Sequence, residues 1–149
     1  MKIIVDADAC PVKDIIETTA AQYDLPVIMV SNYHHRIDSA YATVLVADGQ
    51  SQAADMMIAN HTRAGDIVVT QDYGLAAIIL GRKAYAIHPS GSIFSNENIE
   101  GLLMQRYMNQ KARQAGRHTS NPRKRTSQDD QRFARQLEKL ILAHRQGDK

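Results

Sequence analysis

The chain has 149 residues, of which 44% are hydrophobic and 23% are charged. That length and balance are typical of one globular domain with a sizeable core. The single cysteine, Cys10, excludes a disulfide framework. No apolar run approaches the roughly 18 residues of a membrane helix, and the first residues enter a strand without a signal-peptide pattern. We therefore expect a cytoplasmic protein that has no membrane partner.

The net charge of +2 conceals an asymmetry along the chain. Residues 1–105 contain 6 Lys and Arg against 12 Asp and Glu, a balance of −6, whereas residues 106–149 contain 12 against 4, a balance of +8. An acidic body with a basic extension is typical of a protein that handles polyanions through cations. The alternative is a basic tail that only increases solubility, and charge alone does not decide between them.

The first 50 residues alternate strand-like and helix-like segments. An apolar run at 3–6 predicts the first strand. Pro11 then opens a helix pattern, because proline is tolerated at the first helical position. The runs at 27–30 and 43–46 predict the second and third strands, with a polar segment between them.

The alternation continues to about residue 90. Ser51 is a candidate N-cap of the next helix, and a fourth strand follows at 67–70. A helix at 73–80 and a strand at 83–87 complete the series. Because several of these strands are continuous apolar runs, they predict a parallel sheet that is covered on both faces. We expect an α/β protein of three-layer α/β/α architecture, with a mostly parallel central sheet and additional C-terminal helices.

The remaining residues have a different character. Residues 96–115 predict a helix that completes an α/β domain at 1–115. Residues 116–127 contain no apolar anchor and predict a mobile basic linker. The last unit, 128–149, is predicted to be an amphipathic helix at 128–145, where apolar residues recur at helical spacing, followed by a short tail. Such a helix must pack either on its own domain or on a second copy, so a homo-oligomer through it is one of two expectations.

Four aspartates carry the chemistry that the sequence indicates. Asp6 and Asp8 close the first strand at a spacing that points both side chains to one side, and Asp72 follows another strand. Asp55 lies in the first turn of a predicted helix. Sites in open parallel sheets form at the carboxyl ends of strands, so neighbouring strands would bring these residues into one cleft. Carboxylate oxygens suit Mg²⁺ or Mn²⁺, which would position water and neutralise charge on a phosphate.

Alternatives remain open for several of these residues. Asp55 and Asp72 are also suitable helix N-terminal residues. Lys13 lies in a first helical turn, where the dipole disfavours a cation unless a phosphate binds there; a solvated lysine is the alternative. Cys10 is interpreted as a small buried residue rather than a nucleophile. The predicted substrate-binding residues are Lys13, Asn32, His34, His35, Arg36 and Thr70.

Three motifs resemble one known family. They are Asp6-Ala-Asp8-Ala-Cys10-Pro11-Val-Lys13, Ala54-Asp55, and Val69-Thr70-Gln71-Asp72-Tyr73-Gly74-Leu75-Ala76. They look like the signature of the bacterial YaiI/YqxD family of uncharacterised proteins, which is similar to PIN-like nuclease domains. The resemblance implies a three-layer α/β/α fold and an acidic Mg²⁺ or Mn²⁺ site. It makes Asp6, Asp55 and Asp72 the expected metal ligands, whereas Asp8 belongs to the pattern of this family itself.

Three functional hypotheses follow. The first is a metal-dependent nuclease that acts on RNA, with Asp6, Asp8, Asp55 and Asp72 as catalytic residues. The second is a nucleic-acid-binding or adaptor protein with a degenerate site. The third is a phosphatase, because Asp6-Ala-Asp8 resembles an Asp-x-Asp nucleophile motif. That chemistry also needs a later acidic pair on the sheet, and the Asp-Asp pair of this chain, at 129–130, falls after the predicted linker.

Overall fold

The computed structural model describes residues 1–32, 37–49, 52–116 and 124–145. Strands and helices alternate through most of these ranges, and two helices follow the last strand. The elements are β1 Ile3–Asp6, α1 Lys13–Gln22, β2 Val27–Asn32, β3 Thr43–Ala47, α2 Ala53–His61, β4 Ile67–Val69, α3 Tyr73–Gly81, β5 Tyr85–Ile87, β6 Ile93–Phe94, α4 Ile99–Gln114 and α5 Ser127–His144.

The strands form one sheet in the order β3-β2-β1-β4-β5-β6. The first five strands are parallel, and β6 is antiparallel to β5. In the central pair, Ile3 lies beside Ile67 and Val5 beside Val69. All residues of 3–5 and 67–69 are fully buried, since a central parallel strand has helices over both faces. The predicted three-layer α/β/α fold is therefore confirmed.

The helices form two layers, one on each face of the sheet. On one face, a core that contains Val5, Ile16 and Phe133 joins the sheet to α1 and α5. On the other face, a core that contains Ile58 and Leu75 joins it to α2, α3 and the start of α4. The alternation of side chains along β1 divides it between these cores, because neighbouring residues of a strand point to opposite faces.

The last helix, α5, completes the core of its own chain. Phe133, Leu137 and Ile141 are fully buried on it. The hydroxyl of Tyr23, the C-cap residue of α1, donates to Glu138 on α5 at 2.6 Å. The apolar face of α5 is thus filled within one chain, and a homo-oligomer through this helix stays a prediction.

Some element boundaries differ from the sequence predictions. Helix α1 begins at Lys13 after the N-cap Val12, so Pro11 is not its first residue. Strand β5 begins at Tyr85, because Lys83 adopts a positive φ of 63° in the preceding turn. Strand β6 was not predicted, since two residues carry no periodicity. The predicted N-cap Ser51 and residues 117–123 of the predicted linker lie outside the described residues.

We expect Phe133→Ala to lower the free energy of unfolding by about 3–5 kcal/mol, because it empties a fully buried site between α5 and the sheet. Leu142→Ala is the matched control on the same helix: its side chain is 49% exposed, and its effect should stay below about 1 kcal/mol. Urea denaturation measures both. Equal small effects would contradict the packing of α5 on its own chain.

Candidate functional site

The order of the strands opens a crevice beside β1. The chain builds β1, β2 and β3 outward to one side and then crosses back to place β4 on the other side of β1. At such a reversal the connections leave the strand ends in opposite directions, and the crevice between them is where open α/β sheets bind ligands. Asp6 ends β1, and Thr70 and Asp72 follow β4. The strands that the sequence suggested as neighbours are indeed paired.

A cavity of about 290 Å³ occupies this crevice. Its lining combines three carboxylates with one guanidinium group and several uncharged residues. The lining residues are Asp6, Asp8, Cys10, Gln71, Asp72, Tyr73, Pro89 and Arg106. A neighbouring cavity of about 340 Å³ is lined by Asp55 and shares Asp72 and Arg106 with the first. The four predicted aspartates therefore line two adjacent cavities, and Asp72 lines both of them.

Thr70 joins the two strand ends through its hydroxyl group. Its Oγ1 donates to Asp6 Oδ2 at 2.9 Å and accepts a hydrogen bond from the backbone N–H of Asp72 at 3.0 Å. Thr70 is buried, so this geometry is shielded from competing water. Its hydroxyl orients a carboxylate of the crevice.

Asp72 has two roles. Its Oδ1 accepts from the backbone N–H of Leu75 at 3.1 Å, which makes it the N-cap of α3. The same oxygen lies 3.4 Å from Nη1 of Arg106 on α4. The capping alternative is therefore confirmed for Asp72, and it does not remove the carboxylate from the crevice.

The electrostatics of the crevice centre on Asp6. The pKa of Asp6 is raised from 3.8 to about 6. Burial is the largest cause, the hydrogen bond from Thr70 opposes it, and the carboxylates of Asp55, Asp8 and Asp72 contribute to the rise. The pKa of Asp55 is raised as well, first by burial and then by Asp72, while Arg106 lowers it. The negative charges of the neighbouring carboxylates thus disfavour ionisation of Asp6, and that of Asp72 disfavours ionisation of Asp55.

Asp8 is positioned by the adjacent strand. The backbone N–H of Asn32, at the end of β2, donates to Asp8 Oδ2 at 2.9 Å. The next residue, Ala9, has a φ of 58°, a left-handed conformation that is uncommon for residues with a side chain. Asn32 therefore fixes Asp8 through its backbone, and the predicted contact of Asn32 with substrate stays a prediction.

The loop between β1 and α1 is held from within by Lys13. Its ammonium group donates to the carbonyl of Cys10 at 3.2 Å and to that of Ala7 at 3.5 Å. Lys13 does not line the acidic cavity, so its predicted phosphate contact has no support from these bonds and stays a prediction. Burial raises the pKa of the Cys10 thiol, in keeping with a packed residue rather than an activated nucleophile.

Gly74 makes room for the pair between Asp72 and Arg106. A Cβ atom at this position would lie 3.2 Å from Asp72 Oδ1 and 3.8 Å from Arg106 Nη1. A larger residue at this position would crowd the Asp72 carboxylate, which lines the cavity. The glycine of the Asp72-Tyr73-Gly74 motif therefore has a steric reason.

The predicted site residues and the residues that line the crevice do not coincide completely. His34, His35 and Arg36 lie outside the described residues. Arg106 and Tyr73 line the crevice, but sequence reasoning assigned neither of them to the site. No local signal marks Arg106, because its contact with Asp72 spans 34 positions and depends on the packing of α4 against α3.

The donor set suits a hard divalent cation, since carboxylate oxygens are the ligands that Mg²⁺ and Mn²⁺ prefer. Within 1–32, 37–49, 52–116 and 124–145, however, no group of three or more His, Cys, Asp or Glu side chains is arranged to hold a metal ion. The carboxylates are divided between two cavities, and Arg106 is the cation that lies among them. The assignment of Asp6, Asp55 and Asp72 as metal ligands therefore stays a prediction.

Two further expectations can be compared with the structure. Asp129 closes a capping box with Thr126, and Asp130 pairs with Arg125 at 2.7 Å, so both carboxylates of this pair serve the start of α5. This is unlike the sheet-borne acidic pair that the phosphatase hypothesis needs. In the ranges that the structure describes, no helix is long and apolar enough to cross a membrane.

Comparison with known proteins identifies the family. The model of the family described as "Uncharacterized BCR, YaiI/YqxD family" matches residues 4–143. UPF0178 proteins of Clostridium kluyveri and Natranaerobius thermophilus are 49% and 50% identical over 142 and 143 residues, which is 95% of this chain in each case and 93% and 97% of theirs. No solved structure matches. The chain belongs to the YaiI/YqxD family, as its motifs suggested.

We expect the free energy of unfolding to fall by about 2–3 kcal/mol as the pH rises from about 4 to about 6. The folded protein holds the Asp6 proton up to a pKa of about 6, compared with an ordinary 3.8, so it binds more protons than the unfolded chain in this window. Denaturation across pH measures the slope. Asp6→Asn should remove most of this fall, whereas Asp48→Asn, at an exposed position outside the crevice, should retain it. The same fall in Asp6→Asn would contradict the assignment.

Proposed function

We propose that the acidic crevice hydrolyses phosphodiester bonds of RNA with Mg²⁺ or Mn²⁺. One observation carries the proposal: Asp6 is partly buried at the topological switch point with a pKa of about 6, which three neighbouring carboxylates help to raise. Such mutual repulsion is costly for folding unless a cation relieves it. A similarity of the YaiI/YqxD family to PIN-like nucleases is part of this proposal.

Asp6, Asp55 and Asp72 would hold the cation. When bound, it would neutralise charge on the phosphate and make a coordinated water more acidic. The other roles belong to the chain itself. Thr70 orients Asp6 through the hydrogen bond at 2.9 Å, and Gly74 leaves the space in which Asp72 stands.

Asp8 and Arg106 would act on the reacting groups. Asp8 lines the same cavity as Asp6 and is fixed by the backbone of Asn32, so it can accept a proton from an attacking water. Arg106 brings a guanidinium group into the crevice, and its planar donors suit the oxygens of a phosphate. A phosphate that enters would find one fixed positive group beside the carboxylates.

A second function, the binding of nucleic acid without hydrolysis, is favoured by a different observation. Asp55 and Asp6 line separate cavities, and Arg106 already neutralises part of the charge of Asp72. A crevice balanced in this way has less need of a metal. The two functions share a polyanionic ligand and differ in whether the aspartates are needed for it.

We expect the protein to cleave single-stranded RNA in the presence of Mn²⁺. Asp6→Asn and Asp72→Asn should each lower the rate by at least about a hundredfold, because removal of one group that acts on transition-state charge costs roughly that much. Asp48→Asn is the matched control and should retain full activity. Gel analysis of a labelled RNA measures all four proteins. Identical rates in every variant would refute hydrolysis at this site, and intact binding without cleavage would favour the second function.

We also expect Mn²⁺ to stabilise the folded protein in the absence of any substrate. A ligand at about a hundred times its Kd stabilises the folded state by about 3 kcal/mol, so the melting temperature should rise with Mn²⁺ concentration. Asp72→Asn should weaken this response and Asp48→Asn should not. If Mn²⁺ does not change the melting temperature of the unmodified protein, the proposed metal site is contradicted, whatever the activity assay shows.

A further inference from the structure

A polar groove lies beside the acidic crevice, along α4. It has a volume of about 230 Å³ and is lined by Tyr73, Gln105, Arg106, Asn109, Gln110 and Arg113. Tyr73 and Arg106 line the acidic cavity as well. The groove therefore adjoins the crevice, and Tyr73 and Arg106 form the boundary that the two share.

The five α4 residues of the groove share one face of the helix. Residues 105 and 109, 106 and 110, and 109 and 113 are four positions apart, and 106 and 109, and 110 and 113, are three apart; these are the spacings of neighbours on a helix surface. Arg106 and Arg113 are seven residues apart, which is about 10 Å along the axis. The groove thus presents two guanidinium groups in line, with three carboxamide side chains between and beside them.

This combination of side chains suits a nucleic-acid strand. Guanidinium groups bind phosphate oxygens through paired donors. Asn and Gln offer both a donor and an acceptor, which is what the edge of a base requires. Arg106 is also the first residue of the segment 106–149, whose charge balance is +8 against −6 for the preceding residues. Complementary charge therefore favours a polyanion in the groove.

Tyr73 supplies an aromatic surface at the junction of groove and crevice. Its ring packs against Phe94 at 5.6 Å in an edge-on arrangement and against His88 at 6.4 Å. It remains partly exposed. A ring that is already fixed by its neighbours can stack with a base without losing further freedom. A base can lie on it only when that base has left a duplex stack.

The opposite face of α4 has different chemistry. Met104 and Met108 are 60% and 59% exposed there, and the ammonium group of Lys111 lies 5.6 Å from the centre of the Tyr107 ring. Lys111 does not line the groove. The helix therefore provides two cations, Arg113 and Lys111, at nearly the same height but on different faces.

We propose that the groove of α4 binds a single-stranded nucleic acid and leads it into the acidic crevice. Arg106 and Arg113 hold successive backbone phosphates, and Tyr73 stacks with a base at the entrance to the crevice. The direction of the strand rests on the proposed function, because the crevice is where the bond would be cut. Binding in the groove requires no metal ion and no hydrolysis.

The test is the anisotropy of a short fluorescent oligoribonucleotide in EDTA, titrated with the full chain at several salt concentrations. Arg113→Gln should weaken binding about tenfold and lower the slope of log affinity against log salt by about 0.7, the value for one phosphate of a single strand. Lys111→Gln removes the same charge from the other face and should leave the affinity within about twofold and the slope unchanged. Annealing the complementary strand should weaken binding.

Tyr73 provides an independent arm. Tyr73→Leu should weaken binding by at least about fivefold through lost stacking, whereas Tyr73→Phe should retain the affinity, and thermal unfolding checks that both variants are folded. Equal losses in Arg113→Gln and Lys111→Gln would overturn the groove in favour of general charge. The groove would also be overturned if the unmodified chain did not bind the oligoribonucleotide, or if neither Arg113→Gln nor Tyr73→Leu changed the affinity.

The binding assay separates this inference from the proposed hydrolysis. Groove-dependent binding without any cleavage would support the groove and refute the nuclease. Cleavage that is unaffected by both Arg113→Gln and Tyr73→Leu would refute the groove and leave the nuclease standing.

Discussion

The parallel pairing of β1 with β4 is the constraint on which the candidate site depends. It places Val5 beside Val69, and the next residue after each of these is Asp6 in β1 and Thr70 after β4. Because these two strands are separated in sequence by two other strands, their connections diverge and leave the crevice open. The hydrogen bond from Thr70 to Asp6 then joins the two strand ends. Tertiary packing on both faces of the sheet is therefore what keeps a carboxyl group with an unfavourable charge environment in place.

A comparison of the partly buried Asp6 with the buried Asp66 shows why Asp6 is unlike a structural residue. Asp66, before β4, accepts from the ammonium of Lys2 at 2.6 Å and from two backbone N–H groups, so its charge is compensated where it is buried. In the part of the chain that the structure describes, no lysine or arginine pairs with Asp6, and its neighbours are other carboxylates. Folding stability alone would favour an uncharged residue at this position.

Residues with a local, periodic signal could be assigned to the site from the sequence, whereas residues that reach the site only through tertiary packing could not. The buried runs at 3–6 and 67–70 predicted parallel strands, and strand-end spacing placed Asp6 and Asp72 at one edge, because both signals are local and periodic. Strand β6 has two residues and no period to detect. Arg106 lies on a helix whose second half is largely exposed, and its presence in the crevice depends on how α4 crosses α3. No pattern within α4 contains that information.

Arg106 is also where the two charge populations of the chain meet. It is the first basic residue of the +8 segment, and it extends back to an aspartate of the acidic body. One guanidinium cannot fully neutralise both Asp72 and an incoming phosphate, so a polyanion that binds Arg106 leaves the carboxylates less compensated. Under the proposed function, a phosphate that binds Arg106 would therefore increase the attraction of the crevice for a cation. By reciprocity, a cation among the aspartates would release Arg106 to bind phosphate, so the two proposed ligands would bind cooperatively.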